Sequence, residues 1–229
     1  MHQSKHSDRQ RRKILDTSYQ LFLREGYTRT TVRKIIAATG LTTGTLYHFF
    51  RNKEDILVTL MNESFNDTIR AVNTLNKKCD DPVLSYALDI AAIALPLYAD
   101  REILSLYSVF FTAPESSTMM IKSASQRLQN WFRETHPEMS YNDYYFRVLS
   151  LKGFIQSCLH ERIHGDFRPG YHELYAFLAE MYLNLFNVPP DRIKTAIEQA
   201  LALLSSNNIM IFGHRSDKIL QRKAPDLTG

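Results

Sequence analysis

Between residues 30 and 50 the chain carries two short stretches with helical apolar spacing, joined through Ala37-x-x-Gly40-Leu41. Val32, Ile35 and Ile36 line one side of the first, and Gly40 breaks it. Glycine tolerates the backbone that a tight turn demands, and Leu41 can plug the joint behind it. Thr30 and Thr31 open the first stretch and Thr42-Thr43-Gly44-Thr45 opens the second, as capping hydroxyls do. This is the spacing of a helix-turn-helix, in which the second helix lies in the major groove and turns its N-terminal residues toward base edges. Here those residues are Thr42, Thr43, Gly44 and Thr45, followed by Tyr47 and His48. Threonine can hydrogen-bond to bases or phosphates and pack its methyl against thymine, and Gly44 permits close approach. Thr30, Thr31 and Arg33, at the start of the preceding helix, suit a phosphate, as does Lys53 further on. Leu46 and Phe50 are expected in the core.

Charge agrees with this reading. Residues 1–53 hold eleven Lys and Arg against three Asp and Glu, a surplus of +8, whereas the remainder carries −4. A basic head on a mildly acidic body suits a polyanionic partner. Arg11, Arg12 and Lys13 are candidates for an arm along the DNA backbone, or for a solvated helix face.

The rest of the chain reads as helix throughout. A first helix is expected from Ser7, where Ser7 and Gln10 have capping-box spacing, to Gly26, with Ile14, Leu15, Leu21 and Phe22 as its apolar face. Asn52 is a plausible cap for a long fourth helix over 53–78. Further helices are expected near 82–98, 101–112, 115–136, 141–163, 170–187 and 190–206, each opened by Pro, Asp, Ser or Glu. The fold class is therefore all-α: a three-helix head over residues 1–55, a helical bundle over 56–212, and a basic, loose tail over 213–229. No run of ~18 apolar residues is present to span a membrane. The polar N-terminus lacks a secretory signal core, so a cytoplasmic location is expected. Cys79 and Cys158, far apart, read as buried thiols.

The block from Leu21 to Leu57 resembles the head of the TetR/AcrR family. The resemblance rests on Phe22 with Gly26-Tyr27, on Thr31-Val32-x-x-Ile35, and on Gly44-Thr45-Leu46-Tyr47-x-x-Phe50-x-x-Lys53-Glu54 with Leu57. Ile36 departs from the family's usual Ala. The block is 37 of the 229 residues, about a sixth of the chain. It implies an all-helical homodimer that binds a near-palindromic DNA operator, represses transcription, and is released when a small molecule enters the C-terminal domain and tilts the fourth helix. Thr31, Arg33, Tyr47 and Lys53 would then hold phosphates while Thr43, Gly44 and Thr45 face bases. A DNA-bound adaptor answering to a protein partner, with no small-molecule ligand, is the alternative.

Three features lie outside the head. Tyr86, Ile90, Tyr107, Phe111, Met119 and Trp131 are candidate walls of a pocket for a largely apolar effector. The segment 170–187 is apolar nearly all round, which calls for a second covering surface beyond its own subunit. With Gly153 permitting close helix approach, Leu174, Phe177, Leu178, Met181 and Tyr182 are expected at a dimer interface. His160-Glu161-x-x-His164 matches a zinc-protease signature, but it sits at a helix end beside Gly165 and lacks the third ligand of the longer signatures. It reads as helix-end residues; Cys158 and His172 are the nearest added donors in sequence. No cofactor and no catalytic activity are expected.

Overall fold

The computed structural model of the chain describes residues 2–76, 81–207, 209–211 and 214–215. Among them ten α-helices follow in order: α1 (His2–Glu25), α2 (Val32–Thr39), α3 (Thr43–Phe49), α4 (Lys53–Asn76), α5 (Pro82–Ala94), α6 (Arg101–Thr112), α7 (Pro114–Phe132), α8 (Tyr141–His164), α9 (Tyr171–Asn184) and α10 (Pro190–Ser206). The all-α class stands. A minor addition is an antiparallel pair of two-residue strands, β1 (Met210–Ile211) and β2 (His214–Arg215), where a loose tail was expected to begin. Cys79, residue 213 and residues 216–229 lie outside the described residues.

The punctuation in the sequence sets most helix ends. Thr31 caps α2 by accepting from the Lys34 N–H at 3.3 Å, and Thr42 caps α3 by accepting from the Thr45 N–H at 3.1 Å. The Asn52 side chain accepts from the Asp55 N–H at 2.8 Å at the start of α4. Gly26 and Gly40 have φ of +84° and +66°, the left-handed region that L side chains rarely enter. Four boundaries differ from expectation: α7 ends at Phe132 and not at 136, α9 ends at Asn184 and not at 187, and two more have a clear cause. α1 runs back to His2, past Ser7, because no Gly or Pro interrupts the polar N-terminal segment. The segment 82–98 is not one helix: Pro96, which has no N–H to give, sits in a 3-10 turn over Leu95–Tyr98.

The head is α1, α2 and α3 closed over Ile14, Leu15, Leu21, Phe22, Ile35, Leu46 and Phe50, all buried. α4 leaves this core through Ile56 and Leu57 and enters the larger bundle, where α5 packs between α4, α9 and α10 and α8 packs on α6 and α7. Tyrosines tie α9 to α5: Tyr171 and Tyr175 donate to the carbonyls of Ala91 and Ala87, each at 3.1 Å. The Asp81 carboxylate at the start of α5 pairs with Arg192 of α10.

One buried group breaks the usual rule that interior charges are paired. Arg162 of α8 is fully buried, and Nε, Nη1 and Nη2 all lack a hydrogen-bond partner. Its guanidinium lies 4.5 Å from the centre of the Tyr98 ring, and burial lowers its pKa. The ring face offsets part of the desolvation. An apolar side chain of similar length should do at least as well there. Arg162→Met is therefore expected to leave the fold intact and to raise stability by about 1–3 kcal/mol, read as a higher midpoint in thermal or urea unfolding; a marked loss would mean that the charge has a partner.

Candidate nucleic-acid interface and an internal cavity

The α3 helix presents a continuous exposed face. Thr42, Thr43, Gly44, Tyr47 and His48 are all exposed, Tyr47 at 53%. Leu46 and Phe50 point the other way into the core. The threonines divide by geometry. The Thr42 hydroxyl is spent on capping and on the Thr45 hydroxyl, 2.9 Å away, and Thr45 is half-buried. Thr43 has neither tie. Beside this face Thr31 and Arg33 are exposed at the start of α2.

Two residues assigned to this face from sequence are tied into the protein, Thr30 wholly and Lys53 through two of its three N–H groups. Thr30 is 0% exposed, and its hydroxyl donates to the Gly26 carbonyl at 2.9 Å. Its side chain closes the α1–α2 turn from inside, so it offers nothing to a phosphate. Lys53 reaches inward: Nζ donates to the carbonyls of Tyr27 at 2.7 Å and Thr30 at 2.8 Å, and lies 4.1 Å from the centre of the Tyr27 ring. Burial lowers its pKa. The ammonium thus pins the first turn of α4 to the α1–α2 turn, with one N–H remaining.

The basic run at residues 11–13 also has work inside the molecule. Arg11 and Arg12 both contact the Glu63 carboxylate on α4, at 3.2 and 3.0 Å, and Arg12 also pairs with Asp16 at 2.9 Å. They brace α1 against α4 rather than form a free arm. Glu25, at the end of α1, pairs with Arg24 and with Lys34 of α2. These cations lower its pKa to about 2.

Residues 14–60, the end of the first helix through the start of the fourth, match the family model described as "Bacterial regulatory proteins, tetR family". Over this head the chain is similar to TetR-family regulators. Among curated proteins it is similar to a Fatty acid metabolism regulator protein of Bacillus subtilis (strain 168), 38% identical over 56 residues, 24% of this chain. It is also similar to the uncharacterized HTH-type transcriptional regulator YuxN of the same organism, 24% identical over 93 residues, 41% of this chain. The matched stretches span only 29% and 32% of those two relatives. Among solved structures, RolR in complex with resorcinol has a TM-score of 0.56 at 15% identity, covering 98% of this chain and 100% of that one. The fatty acid degradation regulator FadR from Bacillus halodurans has a TM-score of 0.54 at 18% identity, covering 77% of this chain and 94% of that one. At these identities the structural likeness establishes the fold alone.

In this chain the larger bundle encloses a cavity of about 50 Å³. Of the residues expected from sequence, Tyr86, Tyr107 and Trp131 line it. Ile90 and Phe111 are fully buried in the surrounding core, and Met119 turns outward, 43% exposed, while its neighbour Met120 takes the wall. One residue along a helix is about 100° of rotation, enough to exchange inside for outside. The walls that sequence reasoning missed are the charged ones: Asp89, Arg127 and Lys152. Phe65, Thr68 and Ile69 of α4 also face the cavity, so the helix that begins at the head ends as a wall of the chamber.

The dimer candidates divide similarly. Leu174, Leu178 and Tyr182 are buried within the subunit, because α9 spends that face on α5. Gly153 is exposed, with nothing within 4 Å of where a Cβ would stand, and Phe177 is 51% exposed. Met181 is half-buried. Leu185, part of the apolar 170–187 segment, and Phe146 (62% exposed) and Leu149, not expected from sequence, add to this apolar surface, and Phe154 packs its ring 5.8 Å from Phe177.

The His160 and His164 rings are 5.0 Å apart on the exposed side of α8, while Cys158 is buried and its thiol pKa is raised to about 11. Among the described residues no three His, Cys, Asp or Glu side chains gather to hold a metal. Among the described residues no helix is long and apolar enough to cross a membrane.

Two outcomes follow for the head. Lys53→Ala, which removes two hydrogen bonds from half-buried carbonyls, should lower the stability of the DNA-free protein by about 1–2 kcal/mol; unchanged melting would show that the pin is not used. Because the Glu25 carboxylate is held below its ordinary pKa, its contribution is complete above about pH 4.5 and is lost as pH falls toward 2. Glu25→Gln should flatten that acid limb in a pH series of thermal melts.

Proposed function

We propose that this chain is a cytoplasmic, homodimeric transcriptional regulator that represses by binding a near-palindromic DNA operator and lets go when a small molecule fills the C-terminal cavity. Its head would occupy residues 1–55 and its sensing and dimerisation domain residues 56–212. The observation that carries the reading is one helix with two duties: α4 is pinned into the head by Lys53 and walls the cavity with Phe65, Thr68 and Ile69. A ligand that pushes on those three side chains tilts α4 and moves its head, and in a dimer that changes the separation of the two recognition helices.

Base readout falls to Thr43 and Gly44, supported by Thr42, Thr45 and His48 along the same helix. Thr31, Arg33, Tyr47 and the remaining N–H of Lys53 serve the phosphates. The helix N-termini of α2 and α3 add their free N–H groups. The apolar surface of Gly153, Phe154, Phe177, Met181, Phe146 and Leu185 supports a pairing face built from α8 and α9 of two copies. RolR, a neighbour in fold, was solved with a small molecule, which supports the same class of effector here.

Operator selection from random duplexes, followed by anisotropy titrations at several salt concentrations, tests the reading. Affinity should fall linearly with salt on a log–log scale, and Arg33→Ala should reduce that slope by about one across all sequences. Thr43→Ala should instead change which sites are preferred. Identical behaviour of the two variants would refute this division of roles. Phe177→Glu should convert a dimer to a monomer in light scattering and weaken operator binding; an unaltered dimer would move the interface elsewhere.

A further inference from the structure

The cavity has an unusual interior. Its walls are mostly apolar, from Phe65, Ile93, Met120, Leu128 and Trp131, yet two of its lining residues each carry a buried polar atom without a partner. One is the Tyr86 hydroxyl, the other Asp89 Oδ1. They stand three residues apart on α5, hence on one face of that helix. Both are natural positions for a hydrogen bond and neither makes one within the protein, a state that buried groups rarely keep.

The reason Asp89 is left half-satisfied is visible in its ion pair. Arg127 Nε and Nη2 both approach the same oxygen, Oδ2, at 3.2 and 2.8 Å, leaving Oδ1 open. The pair is largely buried, with side-chain exposures of 18% for Arg127 and 12% for Asp89. Burial and the nearby Asp89 charge both push the Tyr86 phenol well above its ordinary pKa, so it stays a donor. Lys152, also on the wall, donates to Gln156 Oε1 at 3.2 Å.

These facts narrow the ligand by charge, by hydrogen bonding and by size. Asp89 is already neutralised by Arg127 and Lys152 adds a positive charge, so a cationic ligand meets a like charge. A carboxylate set against Oδ1 places two acceptors face to face. What satisfies both orphans is a group that donates and accepts at one atom, and a hydroxyl is the smallest that does so. The cavity, at about 50 Å³, is far below the roughly 300–1,000 Å³ of pockets for drug-sized ligands. A flat body between Trp131, Phe65 and Tyr107 needs the least widening.

Resting on the effector reading above, we infer that this cavity takes a compact, uncharged, hydroxyl-bearing aromatic molecule, whose hydroxyl donates to Asp89 Oδ1 and accepts from Tyr86. Tyr86 and Asp89 then set specificity, while Phe65, Thr68 and Ile69 of α4 sense that the chamber is full.

A series of ligands of nearly equal size tests this: phenol, toluene, benzoate and benzylamine, titrated by calorimetry and thermal shift at pH 7. Phenol is uncharged there, benzoate anionic and benzylamine cationic. Phenol is expected to bind about tenfold more tightly than toluene, with both ions weaker still. Tyr86→Phe, a substitution that keeps the ring packing, should reduce that preference several-fold while leaving toluene affinity unchanged. Asp89→Asn should do the same if its fold survives, as circular dichroism would report; should it not, Tyr86→Phe alone decides. Equal binding of phenol and toluene, an ion as the tightest ligand, or an undiminished phenol preference in Tyr86→Phe would overturn this inference and leave the effector reading standing. If none of the four binds, the orphans are served by water alone, and both this inference and a small-molecule effector in this cavity fail.

Discussion

The ammonium of Lys53 holds the functional parts of the molecule in one mechanical unit. By donating to two carbonyls of the α1–α2 turn and lying against the Tyr27 ring, it fixes where α4 leaves the head. Arg11 and Arg12 strengthen the junction nearly three turns further along through Glu63. Exposed ion pairs of this kind contribute little each. Their value is directional: they stop α4 from swivelling on its first turn, so any displacement further along must carry the head with it.

That coupling matters because of where α4 goes. Past Glu63 its Phe65, Thr68 and Ile69 face a small chamber whose opposite walls come from α5, α6, α7 and α8. A packed interior resists gradual deformation, so filling such a chamber shifts a whole helix rather than bending side chains. Under the proposed function the same helix would carry a packing event at one end and a change of orientation at the other. The Asp89–Arg127 pair sits within this chamber at the α5–α7 contact and gives the apolar walls a polar point of reference.

Much of the head was legible in the sequence because its signals are local. Capping threonines, left-handed glycines and the apolar spacing around them act within a few residues, and Thr31, Thr42, Gly26 and Gly40 stand in the roles their chemistry requires. What failed there failed for a tertiary reason. Thr30 differs from Thr31 by a single position, yet one hydroxyl is sealed against the Gly26 carbonyl and the other caps a helix at the surface. Lys53 has a long, flexible stem, and only the nearness of two turn carbonyls turns it inward.

The larger domain shows the division most clearly. Its periodicity and its prolines determined an all-helical bundle and where each helix starts, since backbone hydrogen bonding and capping are short-range, while the ends of α5, α7 and α9 fall earlier than the apolar pattern suggests. Which face of each helix meets which neighbour was decided by tertiary packing. Met119 and Met120 are the same residue type, and the rotation of α7 alone selects the inner one. Leu174 and Phe177 both look like interface residues until α5 claims the first. Asp89 and Arg127, 38 residues apart, carry no sequence signal of their pairing, because an ion pair across two helices exists only once both have docked. The sequence by itself determined a TetR-like head and the helices behind it; the tertiary structure decided what faces the chamber and which apolar surface stays exposed, because helix formation is local and docking is not.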